Sequence, residues 1–253
     1  LDMNNIFIKY LQKGNLFKTL SSDQKILKYK ENGHIIGKNV NIADGAVLIG
    51  NKIEIKDNVV IGNNVYIESP IINIGYNTII GNNCEFVASN ISLGDNNNIS
   101  KNVFVDISGG RNPDSNLITG HGCLIAYEVY INVCREVILG ENVALSPKSM
   151  IYTHSYWQSV LEGYAGSFGP VEMMDNSWLG SMSHILPNVK IGKGSTVISN
   201  SLVTSDVSSL TMVGGVPASL VKEKINKDLS KTDKVKTLQQ LFFELAEWLS
   251  SQN

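Results

Sequence analysis

The sequence lacks a dominant charge. Among 253 residues, 21 Lys and Arg stand against 23 Asp and Glu, a formal net charge of −2. That balance gives no electrostatic case for nucleic acid or an anionic membrane surface. No apolar run is long enough to span a bilayer, and no secretory leader pattern opens the chain. Leu1-Asp2 before Met3 reads as a cloning remnant. Cysteine is scarce: Cys84, Cys123 and Cys134 lack metal-ligand spacing, which fits a reduced, cytoplasmic setting. None of the four histidines forms a His-x4-His pair, so no metal is expected.

What the chain has instead is repetition. Ile36-Gly37, Ile55-Lys56, Ile74-Gly75 and Leu93-Gly94 recur every 19 residues. Within each interval runs a beat of six: Ile36, Ile42, Leu48; Ile55, Ile61, Ile67; Ile74, Ile80, Phe86. Four residues after many of these comes a small or β-branched residue: Val40, Ala46, Val59, Val65, Thr78, Cys84. The beat resumes at Leu179, Ile185, Ile191, Val197 and Val203, with Ser183, Val189, Ser195 and Ser201 in the small slots. Such self-similarity outranks every other local signal. Three short strands per coil, each burying one aliphatic and one small side chain, predict an all-β parallel prism of roughly eight stacked coils. Asn and Gly populate the coil corners, where a positive φ is often needed.

The predicted organisation is a preface over residues 1–33, a prism over 34–221 and a tail over 222–253. In the preface, Ile6, Tyr10 and Lys13 fit one helix and Ser22 to Tyr29 a second. The prism is interrupted at Ser108–Asn116, a polar Gly/Pro/Asn stretch, at a looser coil around Ile125 and Cys134-Arg135-Glu136, and from Ser155 to about Met174. In the tail, Leu238, Leu241, Phe242, Leu245 and Leu249 share one helical face, expected to bury itself on the prism or on a neighbour.

The six-residue pattern, the segment Asn176–Val207 and "GGVPASLVKEK" from Gly214 to Lys224 resemble the left-handed β-helix acyltransferases. The likeness covers roughly residues 34–224 and points to the branch that acetylates sugars: galactoside and maltose acetyltransferases and O-acetyltransferases of bacterial capsules and O-antigens. The repeat alone is shared with nucleotidyltransferases and carbonic anhydrases, so it specifies fold more than activity. More specific is the combination of Tyr152-Thr153-His154-Ser155, an extruded loop, Trp178-Leu179-Gly180 and Gly215-Val216-Pro217-Ala218. The left hand itself comes from the resemblance, since connection rules favour the opposite one.

The resemblance implies acetyl transfer from acetyl-CoA to a hydroxyl. Three residues after the inward Ile151, His154 should project from the prism where the chain leaves the coil. An imidazole suits a base that takes the nucleophile's proton. One coil below lie Cys134 and Glu136, so Glu136 is a candidate orienting partner, with a solvated corner glutamate or a backbone carbonyl as the alternatives. The backbone N–H of Trp178, or of Ser177, is a candidate oxyanion donor, and the indole a wall; the alternative is a Trp packing the loop base. Positions matching the family's CoA groove are Gly180, Ser181, Ser199, Asn200, Thr204 and the Val216-Pro217 turn; each also reads as a plain corner residue. The basic residues usual after Thr204 and after Pro217-Ala218 are replaced by Ser205 and Ser219, leaving Lys222 for phosphate. Tyr156, Trp157, Tyr164 and Phe168 suit a saccharide, or else pack the loop. His34 and His121 read as structural or solvated, and His184 projects outward.

Family members form three-fold trimers, so a homotrimer is expected. Two other readings stand beside O-acetylation: N-acetylation of a nucleotide-linked amino sugar, and a catalytically silent β-helix scaffold. A sugar nucleotidyltransferase would need a nucleotide-binding domain that a 33-residue preface cannot supply.

Overall fold

A computed structural model of the chain describes residues 15–251 apart from residue 228. It is a left-handed parallel β-helix with three faces. The first face runs from Ile35–Ile36 to Lys190–Ile191, the second from Asn41–Ile42 to Met212–Gly214, the third from Val47–Ile49 to Leu202–Val203. Eight coils are complete, and a ninth begins at Val207, bridged to Ile191, and reaches Met212–Gly214.

The register is that of the sequence beat: Ile36 stands over Ile55, Ile55 over Ile74, Ile74 over Leu93. These aliphatics, with Ile42, Ile61, Ile80, Leu48, Ile67 and Phe86, fill the prism and are essentially sealed from solvent. The small slots are buried too, including the polar Thr78, Asn97, Ser183 and Ser195. A full aliphatic contributes about 1.5–3 kcal/mol on burial, so each coil gains several kcal/mol only when another stacks on it.

The corners explain the asparagines. Asn39, Asn58, Asn77 and Asn96 adopt φ of 53°, 61°, 55° and 58°, a left-handed conformation in which Asn is enriched. Their side chains form a ladder: Asn39 donates to Asn58 at 3.1 Å, Asn58 to Asn77 at 3.0 Å, and Asn77 to Asn96 at 3.0 Å.

An open coil end exposes unpaired strand groups and core. At the N-terminal end a helix, α1 (Ser22–Glu31), covers them. It opens with a capping box in which the Ser21 hydroxyl accepts from the Gln24 amide and the Gln24 side chain accepts from the Ser21 amide. Ser22 accepts from the Ile42 amide at 2.9 Å, and Lys25 Nζ, fully buried, donates to the Ala43 carbonyl at 2.6 Å. The buried Tyr29 hydroxyl donates to the Leu48 carbonyl at 3.0 Å and accepts from the Leu48 amide at 2.8 Å. Burial lowers the Lys25 pKa and raises that of Tyr29. The helix expected around Ile6, Tyr10 and Lys13 lies outside the described residues.

Toward the other end, Ser219–Lys222 pairs antiparallel with Met212–Gly214. By itself, the tail is a 21-residue helix, α2 (Lys231–Ser251), with no buried residue: Leu238, Leu241, Phe242 and Leu245 are all exposed. No described helix is long and apolar enough to cross a membrane.

Candidate active site

The sixth coil ends its third face at Met150–Ile151, and the chain then leaves the prism. His154–Ser155 pairs antiparallel with Ser167–Phe168, closing a hairpin whose far end carries a short turn of helix at Val160–Glu162. The chain rejoins the first face at Val171–Met173, earlier than the extent read from composition. His154 therefore sits half-buried at the corner between the third and first faces, on the rigid base of the extruded loop.

Its ring is fixed from below. His154 Nδ1 lies 2.9 Å from the Oδ1 of Asn132, a wholly buried residue in the preceding coil. The other end of that amide settles which atom is which. Asn132 Nδ2 faces the Ser108 carbonyl at 2.7 Å and the Asp106 carboxylate at 3.1 Å, both of which only accept. Oδ1 is thus the acceptor, and it also takes the Thr153 hydroxyl at 2.7 Å and the Cys134 amide at 3.3 Å. His154 donates from Nδ1, so in the neutral ring the lone pair lies on Nε2. Asp106 is itself pinned by the Tyr130 hydroxyl at 3.0 Å and by the Ser108 hydroxyl at 2.9 Å. In return, Asp106 and burial push the Tyr130 phenol up to about 12, burial being the larger cause.

Around the ring, Gly109 packs so closely that a Cβ there would meet His154 Cγ at 2.8 Å, and its φ of +96° also demands glycine. Phe168 stacks on the imidazole with centroids 6.3 Å apart, and Tyr156 meets it edge-on at 5.9 Å. Arg135 holds its guanidinium carbon 5.0 Å from the Phe168 centroid, while its amide donates to the Thr153 hydroxyl at 3.0 Å. Trp157, 93% exposed, and Tyr164 are exposed on the loop; the ring contacts at His154 among the described residues come from Tyr156 and Phe168.

Other expected residues fall elsewhere. Glu136 accepts from Asn116 Nδ2 at 3.0 Å, and the group at His154 Nδ1 is Asn132. The Trp178 amide donates to the Ser195 carbonyl of the next coil at 2.9 Å, and the Ser177 amide to the Met174 carbonyl within its own corner turn at 3.2 Å. The Trp178 indole is half exposed on the second face, anchored to Ser146 Oγ at 2.7 Å. Gly180 and Ser181 stack beneath Ser199 and Asn200 at the corner between second and third faces; a Cβ on Gly180 would meet the Ser199 nitrogen at 2.5 Å. Thr204 is exposed at the corner two coils above His154's, the Val216-Pro217 turn stands beside Leu202, and Lys222 is exposed on the second face.

The remaining histidines are structural or lie apart from this corner. His121 Nδ1 accepts from the Asp95 amide at 2.9 Å, His34 is buried beside the Tyr29 ring, and His184 meets Tyr152 edge-on. All three cysteines are free and buried, and burial pushes the Cys84 thiol up to about 11. No cluster of His, Cys, Asp and Glu suited to a metal occurs among the described residues.

No protein-family profile matches the chain. It is 30% identical over 126 residues to a galactoside O-acetyltransferase of Lactococcus lactis, a match covering 49% of this chain and 58% of that one. It is also 30% identical over 122 residues, 47% of this chain and 62% of the other, to a Saccharomyces cerevisiae protein that carries a provisional acetyltransferase name. These matches take in less than two thirds of the relatives' own lengths. Among solved structures, a UDP-N-acetylglucosamine acyltransferase covers 83% of this chain and 78% of its own at 17% identity and a TM-score of 0.52, a likeness of fold.

Proposed function

We propose that this chain, a member of the hexapeptide-repeat acyltransferases, moves an acetyl group from acetyl-CoA to a hydroxyl of a saccharide, with His154 as general base. The observation that carries the reading is the Asn132 bond to Nδ1, which leaves the lone pair of the neutral ring on Nε2, beside the Phe168 and Tyr156 rings. Nε2 takes the hydroxyl proton as the oxygen attacks the thioester carbonyl. The tetrahedral intermediate then expels the CoA thiolate, and the imidazolium returns the proton to sulfur, restoring the base. The galactoside O-acetyltransferase relative supports a sugar acceptor; a bacterial surface glycan of the capsule or O-antigen kind is the acceptor we favour.

The stacked corner of Gly180, Ser181, Ser199 and Asn200 fits a groove wall for the pantetheine arm, because its backbones approach without intervening side chains. Lys222 supplies a cation for phosphate, with no help from Ser205 or Ser219. His154 and Trp178 stand on different parts of the prism, so a site that uses both is assembled between copies, in keeping with a three-fold homotrimer. The deciding experiment incubates the protein with radiolabelled acetyl-CoA and a panel of glycans, nucleotide amino sugars and amines. Label released by mild base supports O-acetylation. Base-stable label would assign N-acetylation, and no transfer with no acetyl-CoA binding would leave a scaffold.

A further inference from the structure

The chain uses lysine for its positive charge almost throughout: of 21 basic residues only Arg111 and Arg135 are arginines. Both flank His154. Arg111 belongs to the loop whose Gly109 lies against the imidazole, and Arg135 sits one aromatic ring away from it, over Phe168. Their states differ. Arg111 pairs with Glu68 at 3.3 Å. Arg135 is half-buried, and no carboxylate among the described residues lies within ion-pairing reach of it. Its Nη1 donates to the Cys134 carbonyl at 2.8 Å and contacts Cys134 Sγ at 3.3 Å, while Glu136, next in the chain, is engaged by Asn116. A partly desolvated guanidinium is unfavourable without an anion, and its planar fork matches carboxylate or phosphate oxygens.

We infer that the acceptor is an acidic saccharide, and that Arg135 binds its carboxylate or phosphate group beside His154. The phosphates of CoA do not answer for this charge. The thioester must lie at the base, and the phosphates are a full pantetheine arm away from it. The inference rests on the proposed function only for the placing of the acceptor at His154. Phe168 then has two tasks: it stacks the imidazole and preorganises the guanidinium.

The test is calorimetric binding of an oligogalacturonide, of glucose 1-phosphate and of a neutral galacto-oligosaccharide to wild type, Arg135→Met and Arg135→Lys. Wild type should bind a charged ligand about tenfold or more tightly than the neutral one, as one charge-assisted bond implies. Preference for the carboxylate or for the phosphate identifies the anion. Arg135→Met should erase the preference, and Arg135→Lys should keep part of it. Charged ligands that bind no better than the neutral one, or a preference that survives Arg135→Met, would overturn the inference. Arg135-dependent anion binding without any acetyl transfer would uphold it and sink the enzymatic reading. Transfer to neutral and acidic sugars alike would do the reverse.

Discussion

Asn132 Oδ1 and His154 Nδ1 stand 2.9 Å apart across one coil step, and the amide cannot turn over because its nitrogen is held by Ser108 and Asp106. An amide oxygen fixes the tautomer as a carboxylate would, but it adds no full charge beside the ring. Asn132→Asp should therefore shift the acidic limb of the kcat/KM profile to higher pH, because a carboxylate favours the imidazolium. Asn132→Ala should lower kcat by about 10–10³ with little change in acetyl-CoA affinity. A pH profile unmoved in Asn132→Asp would remove Asn132 from the positioning of His154.

Gly109→Ala places a methyl 2.8 Å from His154 Cγ, at a φ of +96°. The strain costs about 1–2 kcal/mol, and the ring must move. Activity should fall about tenfold or more, since sub-ångström displacements of reacting groups matter strongly. Far-UV circular dichroism should be unchanged. Full activity in a folded variant would show that the glycine loop does not set the ring position.

How much of this was legible beforehand follows from where the physics is local. The six-residue beat fixes the buried column from Ile36 through Leu93, because inward and outward positions are set by strand alternation alone. His154 was legible as an outward residue at a break in the beat. Asn132 was not: stacking by strand register puts Cys134 beneath His154, and only the cover of the Ser108–Asn116 loop buries the amide and turns it upward. The hydrogen bond of the Trp178 amide is hidden for a related reason. A residue beside an extruded loop looks free in sequence, yet the next coil takes its N–H. Arg135 and Phe168 meet through a hairpin whose register no local signal fixes.

Tyr29→Phe tests the cap. It removes one hydroxyl that serves both the amide and the carbonyl of Leu48, leaving two buried groups unpaired. Such a loss costs about 1–3 kcal/mol per group, so the melting temperature should drop by several degrees. Unchanged stability would mean that the first coil needs no cap from Tyr29.

Burial lowers the pKa of His34 from 6.5. The unfolded chain then binds the extra proton first, so this group lowers stability as pH falls through about 6.5 toward the folded value. His34→Gln removes this pH dependence. Between about pH 7.5 and pH 5 the wild type should lose more melting temperature than the variant. Parallel curves would contradict the assignment.

The account stands or falls on His154. His154→Ala should reduce kcat for acetyl transfer by about 10²–10⁴ while the protein stays folded and binds acetyl-CoA with near wild-type affinity. A folded His154→Ala variant that transfers acetyl groups as fast as the wild type would contradict it.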